Sequence, residues 1–318
     1  MNTLIKAKFS FIFGRKEFTM FFVLLGMIIV SAIISPTFRS IDNILNILNQ
    51  NAIIGVMSIG MAFVLITGAF DLSVSSTVAL TGITSTYFFR EYGFVAGIVT
   101  GLTVGVLMGL ANGLLVTKIR INPFVATLGM MTIGRGIVFI VTNGFPVMGV
   151  PSKYGVIGMG KVGPIPIAAG IWLIFAAITY LVMRYTKFGQ YIYAIGGSET
   201  ASWLSGINTV KIKILAFVIC GVFASLGGII LTLRVLMATA DGATGYELTT
   251  IASCIVGGIS IDGGRGSILS AVVGTLILGL ILNMLQLTGV SSFWQSAITG
   301  LIILGAVGID SVSNRKRD

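Results

Sequence analysis

The chain has 318 residues, of which 55% are hydrophobic and 9% charged, with a mean hydropathy of +1.03. A soluble globular protein is roughly 25% charged, so water is excluded as the main solvent and no room is left for a separate soluble domain. The 20 Lys and Arg against 10 Asp and Glu leave +10, which the positive-inside rule explains without a nucleic-acid partner; the lack of His excludes His metal sites, His relays and Ser-His or Cys-His catalysis.

Read in chain order, Lys6, Lys8, Arg15 and Lys16 precede a first apolar run, Phe18 to Ile34. That run is long for a signal-peptide core and no small-residue cleavage site follows it, so an uncleaved first span after a cytoplasmic tail (1–16) is expected. Hydropathy with polar punctuation then gives about ten spans, at about 17–35, 51–69, 74–89, 93–117, 122–143, 166–185, 211–236, 247–261, 266–288 and 292–310, followed by a short basic tail, 311–318. The fold class expected is an all-α polytopic membrane protein forming one transmembrane domain over 1–318.

With the N-terminus inside, the cytoplasmic side receives Lys6, Lys8, Arg15, Lys16, Lys118, Arg120, Arg184, Lys187, Lys211, Lys213, Arg265, Arg315, Lys316 and Arg317. The outer side receives Arg39, Arg90, Lys153, Lys161 and Arg234, which assigns both termini to the cytoplasm.

Two connections are longer than the rest. In the outer one, Gly144 to Pro164, the stretch Gly155-x4-Gly160-Lys161 imitates a phosphate-binding loop, but Val162 stands where a Ser or Thr must bind magnesium. Gly158-x-Gly160-x-x-Gly163 imitates a dinucleotide fingerprint without its strand or acid. Both read as loop chemistry, so no catalytic residue, ATPase, cofactor or metal site is expected. In the inner connection, about 186–210, Ser198 to Ser205 reads as a short amphipathic helix with Ala201, Trp203 and Leu204 on its apolar side. Such a helix beneath the bilayer suits docking by a soluble partner.

Polar groups inside the spans are the remaining signal. Arg135 sits well within the fifth span, tied either to carbonyls and neighbouring polar groups or to the solute path. Asp71 and Ser73 read as caps of the third span. Asn112, Thr127 and Asn283 belong to a set of amides and hydroxyls that glue helices together or line a path for a neutral, hydroxyl-rich solute. Asp71, Glu91, Asp241, Glu247 and Asp262 all fall at span ends or in loops, unlike the acid chains of proton-driven pumps. Cys220 and Cys254 lie in apolar stretches and read as buried free thiols.

The two halves also echo each other at an offset of 171 residues: Asn112 and Asn283, Leu114 and Leu285, Ala126 and Ala297, Gly129 and Gly300, Gly134 and Gly305. Their spans run in opposite directions, so the echo reads as an inverted repeat, with chance glycine matches as the rival reading.

Gly60 to Gly68 with Asp71-Leu72-Ser73-Val74, Asn112 to Lys118 with Pro123 to Met131, Tyr193 to Gly197, Leu204 to Ile207, Gly263 to Ser267 and Gly289 to Gln295 form a recognisable set. Over about Asn43 to Val307 the chain resembles the permease subunits of bacterial ATP-binding-cassette importers for simple sugars, the ribose-type group. The resemblance implies a multi-pass subunit of the bacterial inner membrane that dimerises with an identical or sister permease. It also implies solute received from an extracytoplasmic sugar-binding protein and work done by a cytoplasmic ATPase. The family's coupling helix falls on Gly197, Ser198, Glu199, Ala201, Leu204 and Gly206. Departures such as Ser198, Trp203 and Asp262 leave the docking role standing and allow a sugar other than ribose. Asn112, Arg135, Asn283 and Thr127 are the expected path residues. The competing readings are a self-sufficient, ion-coupled secondary transporter of a small polar solute, and a membrane enzyme or scaffold; the missing intramembrane acids count against the first and the missing catalytic clusters against the second.

Overall fold

The computed structural model describes residues 16–315, and thirteen α-helices follow one another there. Of the expected tails, 1–16 and 311–318, residues 1–15 and 316–318 lie outside the described residues, while Lys16 and residues 311–315 belong to the first and last helices. Helix α1 spans Lys16–Ile34, α2 Ile41–Ile66, α3 Val74–Glu91, α4 Phe94–Thr117 and α5 Pro123–Thr142. After the outer connection, which holds the one-turn helix α6 (Val156–Met159), come α7 (Ile167–Tyr185), α8 (Lys187–Gly197), α9 (Glu199–Leu204) and α10 (Thr209–Val235). The chain ends with α11 (Tyr246–Val256), α12 (Ile268–Leu287) and α13 (Ser292–Arg315). Four two-residue strands make two small antiparallel pairs: β1 (Val147–Met148) with β4 (Met237–Ala238), and β2 (Lys161–Val162) with β3 (Ile165–Pro166).

Local chemistry sets these boundaries. Ser40 accepts from Asn43 N at 3.2 Å to start α2, and Asn122 accepts from Phe124 N at 2.9 Å, with Pro123 next, to start α5. Asn143, in the left-handed region at φ 50°, ends α5. Ser198, Asn208 and Ser267 cap α9, α10 and α12 in the same way.

Six helices are long and apolar enough to cross a membrane, namely α2, α4, α5, α7, α10 and α12, by length and composition. The chain is therefore an all-α, polytopic membrane protein. The apolar stretches Thr19–Ile34 in α1 and Tyr246–Val256 are shorter. Two expectations need correction. Helix α2 begins at Ile41, three turns before the expected 51, because Asp42, Asn43, Asn46, Asn49 and Gln50 hide its first turns from a hydropathy reading. The inner connection holds a second helix, α8, which buries Ile192 and Ile195 despite Gly189, Gly196 and Gly197.

Helix α2 is the axis of the core: every residue from Val56 to Ile66 is buried. Helix α10 packs along it, α4 packs against α10, and α12 packs against α2. Helix α3 contacts α4, α5 and α10, while α11 contacts α12, α13 and α2. The approaches are close. A side chain on Gly105 would strike the Gly221 carbonyl, and one on Gly274 the Ser253 carbonyl. Glycine lets backbones meet where lipid offers no hydrophobic drive for association.

Candidate functional site

Helix α9 carries the expected docking residues. Ser198 turns the chain out of α8 and accepts from Ala201 N at 3.2 Å, while Ser205 Oγ donates to Ala201 O at 2.9 Å. Gly206, at φ 84°, makes the left-handed exit that lets Ile207 N reach Ser202 O at 3.1 Å. Gly197, Glu199, Ala201, Leu204 and Gly206 are all exposed. The apolar members of this helix face outward: Trp203 is 65% and Leu204 72% exposed, whereas Ser202 is buried. Exposed apolar side chains of that size are candidates for contact with a partner.

Behind that surface α9 is fastened twice. Glu199 forms an ion pair with Lys213, the fifth residue of α10. At the end of α8, three backbone segments meet: Gly264 N donates to Ile66 O at 2.9 Å, and a side chain on Gly196 would strike both Ile66 O and Gly264 N. Tyr193 OH adds a bond to Gly266 O at 2.9 Å. Sequence reasoning named Lys213 only as a cytoplasmic charge and Tyr193 and Gly264 only within family stretches; their pairings escaped it, because they join residues up to about two hundred positions apart and leave no periodic trace. A groove of about 550 Å³ runs between α9, the α4–α5 turn and the start of α10, lined by Arg120, Asn122, Glu199, Trp203 and Lys213.

The four expected path residues lie with separate partners. Asn112 is buried, and its amide donates to Ser73 Oγ at 2.7 Å and to both Asp71 carboxylate oxygens at 3.1 Å. Asp71, in the turn between α2 and α3, also accepts from Ser73 N at 2.8 Å and Ser73 Oγ at 2.7 Å. Burial raises the Asp71 carboxyl above its ordinary value, and the hydrogen bonds from Ser73 and Asn112 oppose that rise. Ser73 holds the cap position of α3, yet its side chain turns to Asp71 rather than to the helix.

Asn283 forms a reciprocal amide pair with Asn43, at 3.0 and 3.2 Å, which ties α12 to the start of α2. Thr127 is buried and donates to Pro123 O at 2.8 Å within its own helix. Arg135 is half-buried and its Nη1 donates to Ala240 O at 2.7 Å and Gly242 O at 2.9 Å, holding the 239–245 connection against α5. Glu247 follows that connection with a buried, unpartnered Oε2. Among the described residues, no group of three or more Cys, Asp or Glu is placed to hold a metal ion.

Comparison with known proteins adds the following. Residues 43–307 match a family model described as branched-chain amino acid transport system / permease component. The chain is 38% identical to the ribose import permease protein of Escherichia coli strain K12 over 314 residues, covering 94% of this chain and 97% of that protein. It is 41% identical to the ribose import permease protein of Bacillus subtilis strain 168 over 287 residues, 89% of each. It is 36% identical to the L-arabinose transport system permease protein of Escherichia coli strain K12 over 315 residues, covering 98% and 95%. No solved structure matches the chain.

Proposed function

The chain belongs to this family of transport-system permease components, and from that premise we propose that it forms the translocation path of an ATP-driven importer for a monosaccharide or similar small polyol. It is a multi-pass subunit of the inner membrane, and it is not an enzyme; ATP hydrolysis belongs to a separate subunit. The sugar reaches it from an extracytoplasmic binding protein, and the working unit is a dimer with an identical or sister permease.

The observation that carries this reading is α9: a capped, twice-anchored helix that offers Ala201, Trp203 and Leu204 outward. On this reading 186–210 is the cytoplasmic coupling region. Gly197, Ser198, Glu199, Ala201, Leu204 and Gly206 form the ATPase dock, and both termini share that side. The ten-span count is retained, with α1, α3, α11 and α13 completing the six longer helices.

Among these eight helices, the exchange α2 for α10, α3 for α11, α4 for α12 and α5 for α13 leaves the set of neighbours unchanged, which supports an inverted repeat. The path is proposed to run past Arg135, Asn112, Thr127 and Asn283, whose hydrogen bonds set the helices that border it.

The test is reconstitution of the chain with its ATPase and binding protein in proteoliposomes, and uptake of a labelled aldose panel that includes ribose and arabinose. ATP-dependent uptake of one of these sugars is the expected result. Uptake that persists without the ATPase and collapses with a proton or sodium gradient overturns the reading.

A further inference from the structure

A cavity of about 430 Å³ opens between α2, α10, α11 and α12, within the range of about 300 to 1,000 Å³ typical of small-molecule sites. Its polar wall is made by Gln50 and Asn51 of α2, Arg234 of α10, and Tyr246 and Thr249 of α11, with Gly279 of α12 bringing bare backbone against Asn51. What these groups do with their hydrogen-bonding capacity sets the cavity apart. Gln50 Nε2 donates to Asn46 Oδ1 at 3.2 Å and Asn51 Nδ2 to Ile47 O at 2.7 Å, so both amide oxygens are left to accept. Among the described residues, the half-buried Arg234 guanidinium has no hydrogen bond or ion pair, and the Tyr246 hydroxyl, which lies within the field of Arg234, has no hydrogen bond.

No acidic residue lines the cavity. Arg234 stands in the last turn of α10, where the helix dipole eases a cation without an acid beside it, so its donors are held ready rather than consumed.

We propose that this cavity is a solute subsite that takes the hydroxyl face of a neutral monosaccharide; the proposal rests on the sugar-permease reading above. Each sugar hydroxyl both donates and accepts. The planar guanidinium fork offers parallel donors to two neighbouring hydroxyl oxygens, and the Gln50 and Asn51 oxygens accept hydroxyl hydrogens. Tyr246 supplies an aromatic body and a polar tip for the mixed surface of a sugar ring. With donors and acceptors but no opposite charge, the site binds a sugar weakly enough to release it, as a path requires. Tyr246 also lines an adjoining cavity of about 200 Å³, whose wall includes Gly242 of the connection that Arg135 holds. The subsite therefore abuts the Arg135 region.

The reconstituted importer tests this with the pentose it carries in the uptake assay. Arg234→Ala and Tyr246→Ala are expected to lower sugar moved per ATP hydrolysed by about tenfold, the equivalent of one charge-assisted hydrogen bond, while binding-protein-stimulated ATPase activity is kept. Arg234→Gln, which keeps a donor, serves if the alanine variant fails to assemble, and is expected to fall between the two. Independently, Thr249→Cys is expected to react with a small thiol reagent and to be protected by millimolar pentose, whereas Ile44→Cys, exposed on α2 outside the cavity, is not protected. Unchanged sugar moved per ATP in these variants, or reaction at Thr249→Cys that pentose does not slow, overturns the subsite. An unsubstituted importer that carries no sugar of the panel defeats the permease reading instead.

Discussion

Arg135 commits one guanidinium nitrogen to the carbonyls of Ala240 and Gly242, and so joins α5 to a connection about a hundred residues further along. The sequence could say that this Arg must face protein or water, and it could offer carbonyls as one of two fates; it could not name which carbonyls. Removing the side chain strands both acceptors. Arg135→Ala is expected to destabilise the purified complex by about 1 to 3 kcal/mol, the cost of an orphaned buried polar group, and to lower its melting temperature while Arg135→Lys restores part of it. Asn112 makes a sharper case, because its amide serves three oxygens of Asp71 and Ser73. Asn112→Asp places a second acid beside a buried carboxyl whose pKa burial already raises, and is expected to yield less folded protein than Asn112→Ala. Equal yields, measured by fluorescence-detected gel filtration, would count against this account. Nothing in the period of either helix announces the Asp71 to Asn112 contact, since the two residues are separated by a whole span and a half.

Elements were legible where a breaker marks their ends and illegible where polar or glycine residues sit inside them. Pro123 after Asn122 fixed the start of α5, and Lys118 with Arg120 fixed the end of α4, so the expected 122–143 and 93–117 differ from the helices by no more than a residue. Helix α8 was lost because its three glycines imitate a loop, although its packing needs two of them, Gly189 and Gly196, small. For α9 the length was readable but the facing was not, because an isolated two-turn helix has no core of its own to declare which side turns inward. Since Ala201 is exposed within this chain, a larger side chain there meets nothing but a partner. Ala201→Trp is therefore expected to leave expression and melting temperature unchanged while uncoupling ATP hydrolysis from uptake, a fitted contact losing about 1 to 3 kcal/mol when overfilled. Gly206→Trp should uncouple as well, by a different route, since φ 84° strains any residue with a Cβ. Normal uptake in both variants would remove α9 from the dock.

At the scale of the whole molecule, the proposed orientation rests on the division of Lys and Arg, and thiol labelling can read it directly. Cys220 and Cys254 are buried, so a single introduced Cys reports without interference. Ser198→Cys is expected to be silent to an impermeant reagent added to intact cells, and Val156→Cys, on an exposed turn of the outer connection, to react. The opposite pattern would invert the topology. The meeting of Ile66, Gly196 and Gly264 carries a consequence of another kind. Three chain segments are joined there by main-chain atoms, which every amino acid possesses in the same form. A joint of that sort transmits position without reading side-chain identity. On the proposed function, residues that face the ATPase on α9 and residues that face a solute between the helices can then be exchanged independently. One frame would then serve many cargoes and many motors, provided that Gly196 keeps its hydrogen.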